Sequence, residues 1–320
     1  MKYVGLQQQI SSNNRKSVVL LLLFPILVLA MVYAFIFFTR YSSENPNSID
    51  FVNQEFISTI PFVIIAVGIW FAIAYFANTT IINKTAGSHT LSRKDNMRVY
   101  NLTENLCMSV GMKMPKLRII ESQALNAFAS GINEKSYTVT LTRGIINALE
   151  DDELEGVIAH ELTHIRNHDV KLLIVSIIFV GIFSFVLRMA LRGFIPTQSS
   201  RNRRNNNEGG GGGGYLLVII LAVVAYFLSF LFKMALSRRR EYMADAGAVE
   251  LTRNPLALAR ALEKISGNSH VEQVKSDDIK EMYIDYTPPK KNAIGLSGLF
   301  ASHPPIEKRI AYLKQLYEGM

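Results

Sequence analysis

Four apolar stretches organise this chain. Ser17–Phe38 runs for 22 residues without a charge, between Lys16 and Arg40, and Phe56–Ala77 is equally uncharged. Leu172–Leu187 and Tyr215–Phe232 are shorter apolar runs. A membrane-crossing helix needs about 20 apolar residues. The first, second and fourth runs meet that length, and the third does so only if Lys171 and Arg188 extend their charged ends toward the interface. The third and fourth runs also fit a second reading, a buried or interfacial helical hairpin. The first run is longer than the roughly 7–15 residues of a signal-peptide core, so an uncleaved anchor is expected there.

Between the second and third runs the pattern becomes mixed. Ser92 is placed to cap a helix reaching about Met112, with Gly111 near its end. Leu117–Ile120 and Tyr137–Leu141 alternate as short strands, and residues 143–149 suggest a short helix. A longer helix follows, with Asp152 and Glu155 as its expected capping box. Residues 193–214 are rich in asparagine and glycine, as flexible linkers are. Beyond them, Asn254-Pro255 and Pro304-Pro305 each mark a helix start. The resulting division is an N-terminus over 1–16 and transmembrane helices over 17–38 and 56–77. A first catalytic part covers 78–169, and hydrophobic runs occupy 170–189 and 215–233 around the 193–214 loop. A second catalytic part covers 234–320. The expected fold class is α+β, mainly helical.

Composition sharpens this. Hydrophobic residues make up 49% of 320, more than an ordinary water-soluble domain carries, and the excess lies in the runs. The chain therefore reads as a multi-pass membrane protein in contact with a lipid bilayer. Lys2, Arg15 and Lys16 precede the first run, and Lys84, Arg93, Lys94 and Arg98 follow the second. The positive-inside rule then puts the N-terminus and the 78–169 part in the cytosol. Arg188, Arg192, Arg201, Arg203 and Arg204 oppose a simple periplasmic assignment of the later loop. The net charge of +8 sits largely beside the runs, with Lys233 and Arg238–Arg240 directly after the fourth, as lipid-facing clusters do. No nucleic-acid partner is expected. A single cysteine, Cys107, excludes an internal disulfide and a multi-cysteine metal site.

The candidate chemistry sits in His160-Glu161-Leu162-Thr163-His164, an HExxH sequence in an otherwise uncharged frame from Val157 to Ile165. Two histidines four apart share one helix face, about 5–6 Å apart at Cβ, so both imidazoles reach one Zn2+ at about 2.0–2.1 Å. Glu161 then stands beside the metal as a general base. A catalytic zinc usually takes a third protein ligand. Position 170 is Val170, which excludes the metzincin arrangement, and His168 lies about 12 Å from His160 along the axis. Glu241 is the better candidate, with Asp245 one turn on to accept a hydrogen bond from a ligand histidine. On spacing alone, Glu241 serves equally well as an ion-pair partner for Arg238. His89 and His270 receive no role.

HExxH, a hydrophobic hairpin, Arg238-Arg239-Arg240-Glu241-Tyr242-Met243-Ala244-Asp245 and then Ser302-His303-Pro304-Pro305-Ile306-Glu307-Lys308-Arg309-Ile310 together resemble the HtpX family of membrane-integrated zinc metalloproteases, relatives of the CAAX prenyl proteases. The likeness covers almost the whole chain. It implies a zincin-like catalytic domain joined to about four transmembrane helices, one Zn2+ per subunit, and Glu241 as third ligand. It implies that Asn126, Ala127 and Phe128 belong to an edge strand that aligns substrate backbone, with Asn126 hydrogen-bonding the peptide, although Asn126 also suits a local turn bond. It points to His303 as a donor to the developing oxyanion, against a simpler role in capping the next helix. Arg309 is expected to hold Asp245 or the substrate. The implied location is a bacterial-type cytoplasmic (inner) membrane with the catalytic domain facing the cytosol. The implied substrates are misfolded or damaged membrane proteins, with other membrane proteases as further partners. Two alternatives stand beside this reading: a prenyl-protein (CAAX-type) processing protease, and a catalytically silent scaffold with structural zinc. Glu161 argues against the scaffold, and the uncharged interiors of the runs argue against a transporter.

Overall fold

The computed structural model describes residues 6–40, 47–176, 219–220, 222–224, 226–227, 238–266, 268–271, 282–284 and 304–319. The 193–214 loop, most of the third and fourth runs and His303 lie outside the described residues. The chain divides into two compact units. One comprises residues 1–16, 76–174 and 234–320, and the other residues 17–75 and 175–233.

The first two apolar runs lie in long helices. α1 spans Leu6–Arg40 and α2 spans Ser48–Thr85. Among the described residues one helix, over Ser48–Ile73, is long and apolar enough to cross a membrane, and Pro25–Phe38 is a shorter apolar stretch. In α2, Ile57 is 65% and Phe62 74% exposed. Each such side chain forgoes about 1.5–3 kcal/mol of burial in water, so the surface of α2 suits lipid. Within that unit Tyr33 donates to Asn53 Oδ1 at 3.1 Å and packs edge-on against Phe56.

The other unit is mainly helical with a small sheet. Its strands are β1 (His89–Thr90), β2 (Lys116–Ile120), β3 (Ala127–Ser130) and β4 (Thr138–Thr142). Their order is β1-β2-β4-β3, with β2 and β4 parallel and the other pairs antiparallel. β3 is therefore an edge. Every residue of β3 and β4 is buried, so both faces of this half of the sheet are covered and the alternation expected around Tyr137–Leu141 does not separate core from solvent.

The helices of this unit are α3 (Met97–Ser109), α4 (Arg143–Ala148), α5 (Asp151–Arg166), α6 (Arg238–Thr252), α7 (Pro255–Ile265) and α8 (Ile306–Glu318). Two expected starts move. α3 is capped by Asn96, whose side chain accepts from Val99 N at 3.0 Å, while Ser92 bonds Asp95 in the preceding turn. α5 begins at Asp151, and its capping box joins Glu150 and Glu153 in place of Asp152 and Glu155. Glu153 wins because it is buried and Lys264 reaches it at 2.6 Å, a partner from α7 that local spacing does not reveal. α7 starts as expected, with Asn254 accepting from Ala257 N and Pro255 in the first turn.

α5 is the centre of this unit. Leu154, Val157, Ile158, Ala159, Leu162 and Ile165 are all buried, and α5 packs against α3, α6, α7, β3 and β4. Its closest approach is to α6. A Cβ at Gly247 would come within 2.3 Å of Thr163 Cγ2, so only glycine lets α6 lie this near, and this approach brings Glu241 and Asp245 onto the histidine face of α5.

Candidate metal centre

His160 and His164 project from one face of α5 with Nε2 atoms 3.2 Å apart. Glu241, in the first turn of α6, places Oε2 3.6 Å from His160 Nε2 and Oε1 3.6 Å from His164 Nε2. Four ligands at about 2.0–2.1 Å in a tetrahedron stand roughly 3.3 Å from one another, so these separations suit one zinc ion. The three residues form a group able to hold a metal. Two nitrogens and a carboxylate oxygen, all from buried or half-buried side chains, are the donor types zinc prefers.

Each histidine is held from behind. His160 Nδ1 lies 3.0 Å from Asp245 Oδ1, and His164 Nδ1 lies 3.1 Å from Asp169 Oδ2. A carboxylate on Nδ1 fixes the proton there and leaves Nε2 to face a cation. Burial pulls the His160 imidazole down, but hydrogen bonds to Asp245 and Glu241 outweigh it and hold it up at about 9. The surroundings of His160 thus favour positive charge, as a metal site must.

Arg309 lies against the centre, with Nη2 3.3 Å from His160 Nε2 and 3.5 Å from its Nδ1. It is 1% exposed and grips Asp245 with two bonds, Nε to Oδ2 at 3.0 Å and Nη2 to Oδ1 at 2.7 Å. Its Nη1 lies 3.5 Å from Glu241 Oε2 and donates to the Ile284 carbonyl at 2.8 Å. Burial raises the Asp245 carboxyl, and Arg309 together with His160 more than reverses this, leaving it below the usual range. Of the two partners considered for Arg309, the structure pairs it with Asp245. Asp169 had no signal in the HExxH spacing, because it lies beyond the end of α5 and turns back only through the turn at Asn167–His168.

Glu161 lines a cavity shared with His164, Glu241, Asp169, Ala129 and Met282–Ile284, with an empty volume of about 420 Å³ including its open mouth. Burial pushes its carboxyl up, against the pull of His160 and His164. His168 is turned away from this cluster, with Nδ1 3.0 Å from Asn14 Oδ1. His89 pairs with Glu121 at 3.4 Å, and His270 is exposed.

Ala129 of edge strand β3 faces the same cavity. Asn126 precedes the strand and is fully buried. Its Oδ1 accepts from Ala127 N at 2.9 Å and its Nδ2 donates to Ser269 O at 2.7 Å. Its amide therefore anchors the start of β3 to the segment after α7. Ala127 O accepts from Ile284 N at 2.9 Å, and Phe128 packs edge-on against Tyr283.

Residues 93–317 match Peptidase family M48. The chain is 52% identical over 322 residues to a Protease HtpX homolog of Bacteroides fragilis, covering 98% of this chain and all of that one. It is 35% identical to a Protease HtpX homolog of Dictyoglomus thermophilum, over 99% of this chain and 97% of that one. Among solved structures, Ste24p of S. mikatae is similar over 89% of this chain and 61% of its own, with a TM-score of 0.49 and 22% identity.

Proposed function

This chain belongs to peptidase family M48 and, within it, to the HtpX proteases, and we propose on that premise that His160, His164 and Glu241 hold its zinc while Glu161 serves as general base. The protein is a membrane-bound zinc metalloendopeptidase. The observation that carries the assignment of residues is the convergence of the ligand atoms of His160, His164 and Glu241 within 4.8 Å of one another, with Glu161 lining the cavity that His164 and Glu241 also line.

Zinc, when bound, polarises the scissile carbonyl and lowers the pKa of water toward ~7. The chain's own residues supply the rest. Glu161 accepts a proton from the attacking water and returns it to the leaving amine, a role worth typically 10²–10⁴ in rate. Asp245 and Asp169 keep the imidazoles oriented, and Arg309 balances the charge of Asp245 and Glu241. The outward edge of β3 at Ala129 aligns an extended peptide beside the cavity, with Asn126, Ala127 and Phe128 holding that strand in place. His303, immediately before Pro304, donates to the negative charge developing on the carbonyl oxygen.

The substrates are misfolded or damaged membrane proteins cut at cytosolic segments, which makes this a quality-control enzyme. About four membrane-spanning helices and a cytosolic site follow from the four apolar runs and the positive charges before the first of them. Asn13, ahead of the first run, bonds residues of the turn after α5, which supports placing the N-terminus and the site on one side.

The test is casein cleavage by the detergent-purified, zinc-loaded protein beside Glu161→Gln, with zinc content measured in both. Cleavage by wild type alone, at equal zinc content, is expected. Equal cleavage by both would remove Glu161 as the base. Zinc at about 100 times its Kd should add about 2.7 kcal/mol of stability, read as a rise in Tm. If His160→Ala keeps that rise, the ligand assignment is wrong.

A further inference from the structure

His164 is held by Asp169, and Asp169 is in turn held by the first helix. The turn between α5 and the helical residues 169–176 contains His168 at φ +60°, a left-handed conformation that is unfavourable for a non-glycine residue. This turn brings Asp169 back over the end of α5. α1 secures it at two adjacent positions. Asn13 Nδ2 donates to the Asn167 carbonyl at 2.9 Å and to Asp169 Oδ1 at 2.7 Å. Asn14 Oδ1 meets His168 Nδ1 at 3.0 Å.

The two oxygens of Asp169 therefore have separate partners, Oδ1 with Asn13 and Oδ2 with His164. A carboxylate held at one oxygen rotates about its Cβ–Cγ bond, whereas a second bond at the other oxygen sets its plane. Asn13 and Asp169 are 1% and 2% exposed, so water does not compete for these bonds. A hydrogen bond to a charged group is stronger than one between neutral groups, the more so when buried. Asn13 also stands four positions before Ser17, where the first apolar run begins.

We propose that Asn13 is a positioning residue of the metal centre, fixing the His164 imidazole through the Asp169 carboxylate and so tying the site to the helix that enters the membrane. The proposal rests on the reading of His164 as a zinc ligand.

Zinc affinity of the detergent-purified full chain, measured by competition with a chromophoric chelator, tests it. Asn13→Ala should weaken zinc binding about 10-fold, and Asp169→Ala by about 10–100-fold, the usual range for groups behind metal ligands. The double variant should bind no more weakly than Asp169→Ala alone, because both act through one carboxylate. Asn14→Ala, which removes a contact to the same turn but not to Asp169, should stay near wild type. Cobalt loaded in place of zinc should show a shifted visible absorption band in Asn13→Ala, a change that a loss of general stability does not produce. Wild-type affinity and an unshifted cobalt band in Asn13→Ala would overturn the proposal, as would losses that simply add in the double variant. If His164→Ala binds zinc as well as wild type, the ligand reading falls and the positioning role with it.

Discussion

Asp245 Oδ1 lies 3.0 Å from His160 Nδ1, a contact between α5 and α6 that gives the metal-facing imidazole its orientation. Asp245→Asn keeps the size of the side chain but removes the charge that holds the Nδ1 proton. Zinc affinity is expected to fall about 10–100-fold, measured by chelator competition. Unchanged affinity would mean that packing alone orients His160.

Arg309 is the counter-charge of two buried carboxylates, Asp245 and Glu241. Removing one partner of a buried ion pair leaves the other charge uncompensated, at a cost of about 3–5 kcal/mol. Arg309→Ala should therefore unfold at a markedly lower temperature than wild type, with or without zinc. Arg309→Lys retains charge but not the two parallel bonds to Asp245, and should fall between the two. A melting temperature for Arg309→Ala equal to wild type would show that Asp245 and Glu241 need no such partner.

Gly247 sets the spacing of α5 and α6. Gly247→Ala drives a methyl group into Thr163, whose Cγ2 lies 2.3 Å from the new Cβ. Overpacking of this kind costs about 1–3 kcal/mol, and here it also moves Glu241 away from the histidines. Both melting temperature and zinc affinity should drop. Thr163→Ser removes the clashing methyl group, so the double variant should regain part of each loss. No recovery would place the damage elsewhere.

Much of this protein was legible because the deciding interactions are local. An apolar run declares itself residue by residue, and HExxH works because positions four apart share a helix face, so the motif helix, the long α1 and α2, and the Asn254-Pro255 start follow from neighbours in the chain. Glu241 and Asp245 could be nominated for the same reason, as two carboxylates one turn apart. What their spacing left open was the choice between zinc ligand and surface ion pair, and the close α5–α6 approach at Gly247 brings Glu241 to both histidines.

The remaining errors share one cause. The capping box went to Glu153 because Lys264 of α7 reaches it, and the cap of α3 lay four residues later than expected. By itself the sequence determined the apolar runs, the HExxH helix and the chemical types of the candidate ligands, since these depend on periodicities of a few residues. Tertiary structure alone decided which carboxylate stands behind each histidine, that Arg309 grips Asp245, and that Asn13 reaches Asp169. His164 and Asp169 are five positions apart and meet only because the chain turns back after α5. Arg309–Asp245 and Asn13–Asp169 join residues 64 and 156 positions apart, and only the packing of helices against one another, not the order of residues along any one of them, brings such distant groups within hydrogen-bonding distance.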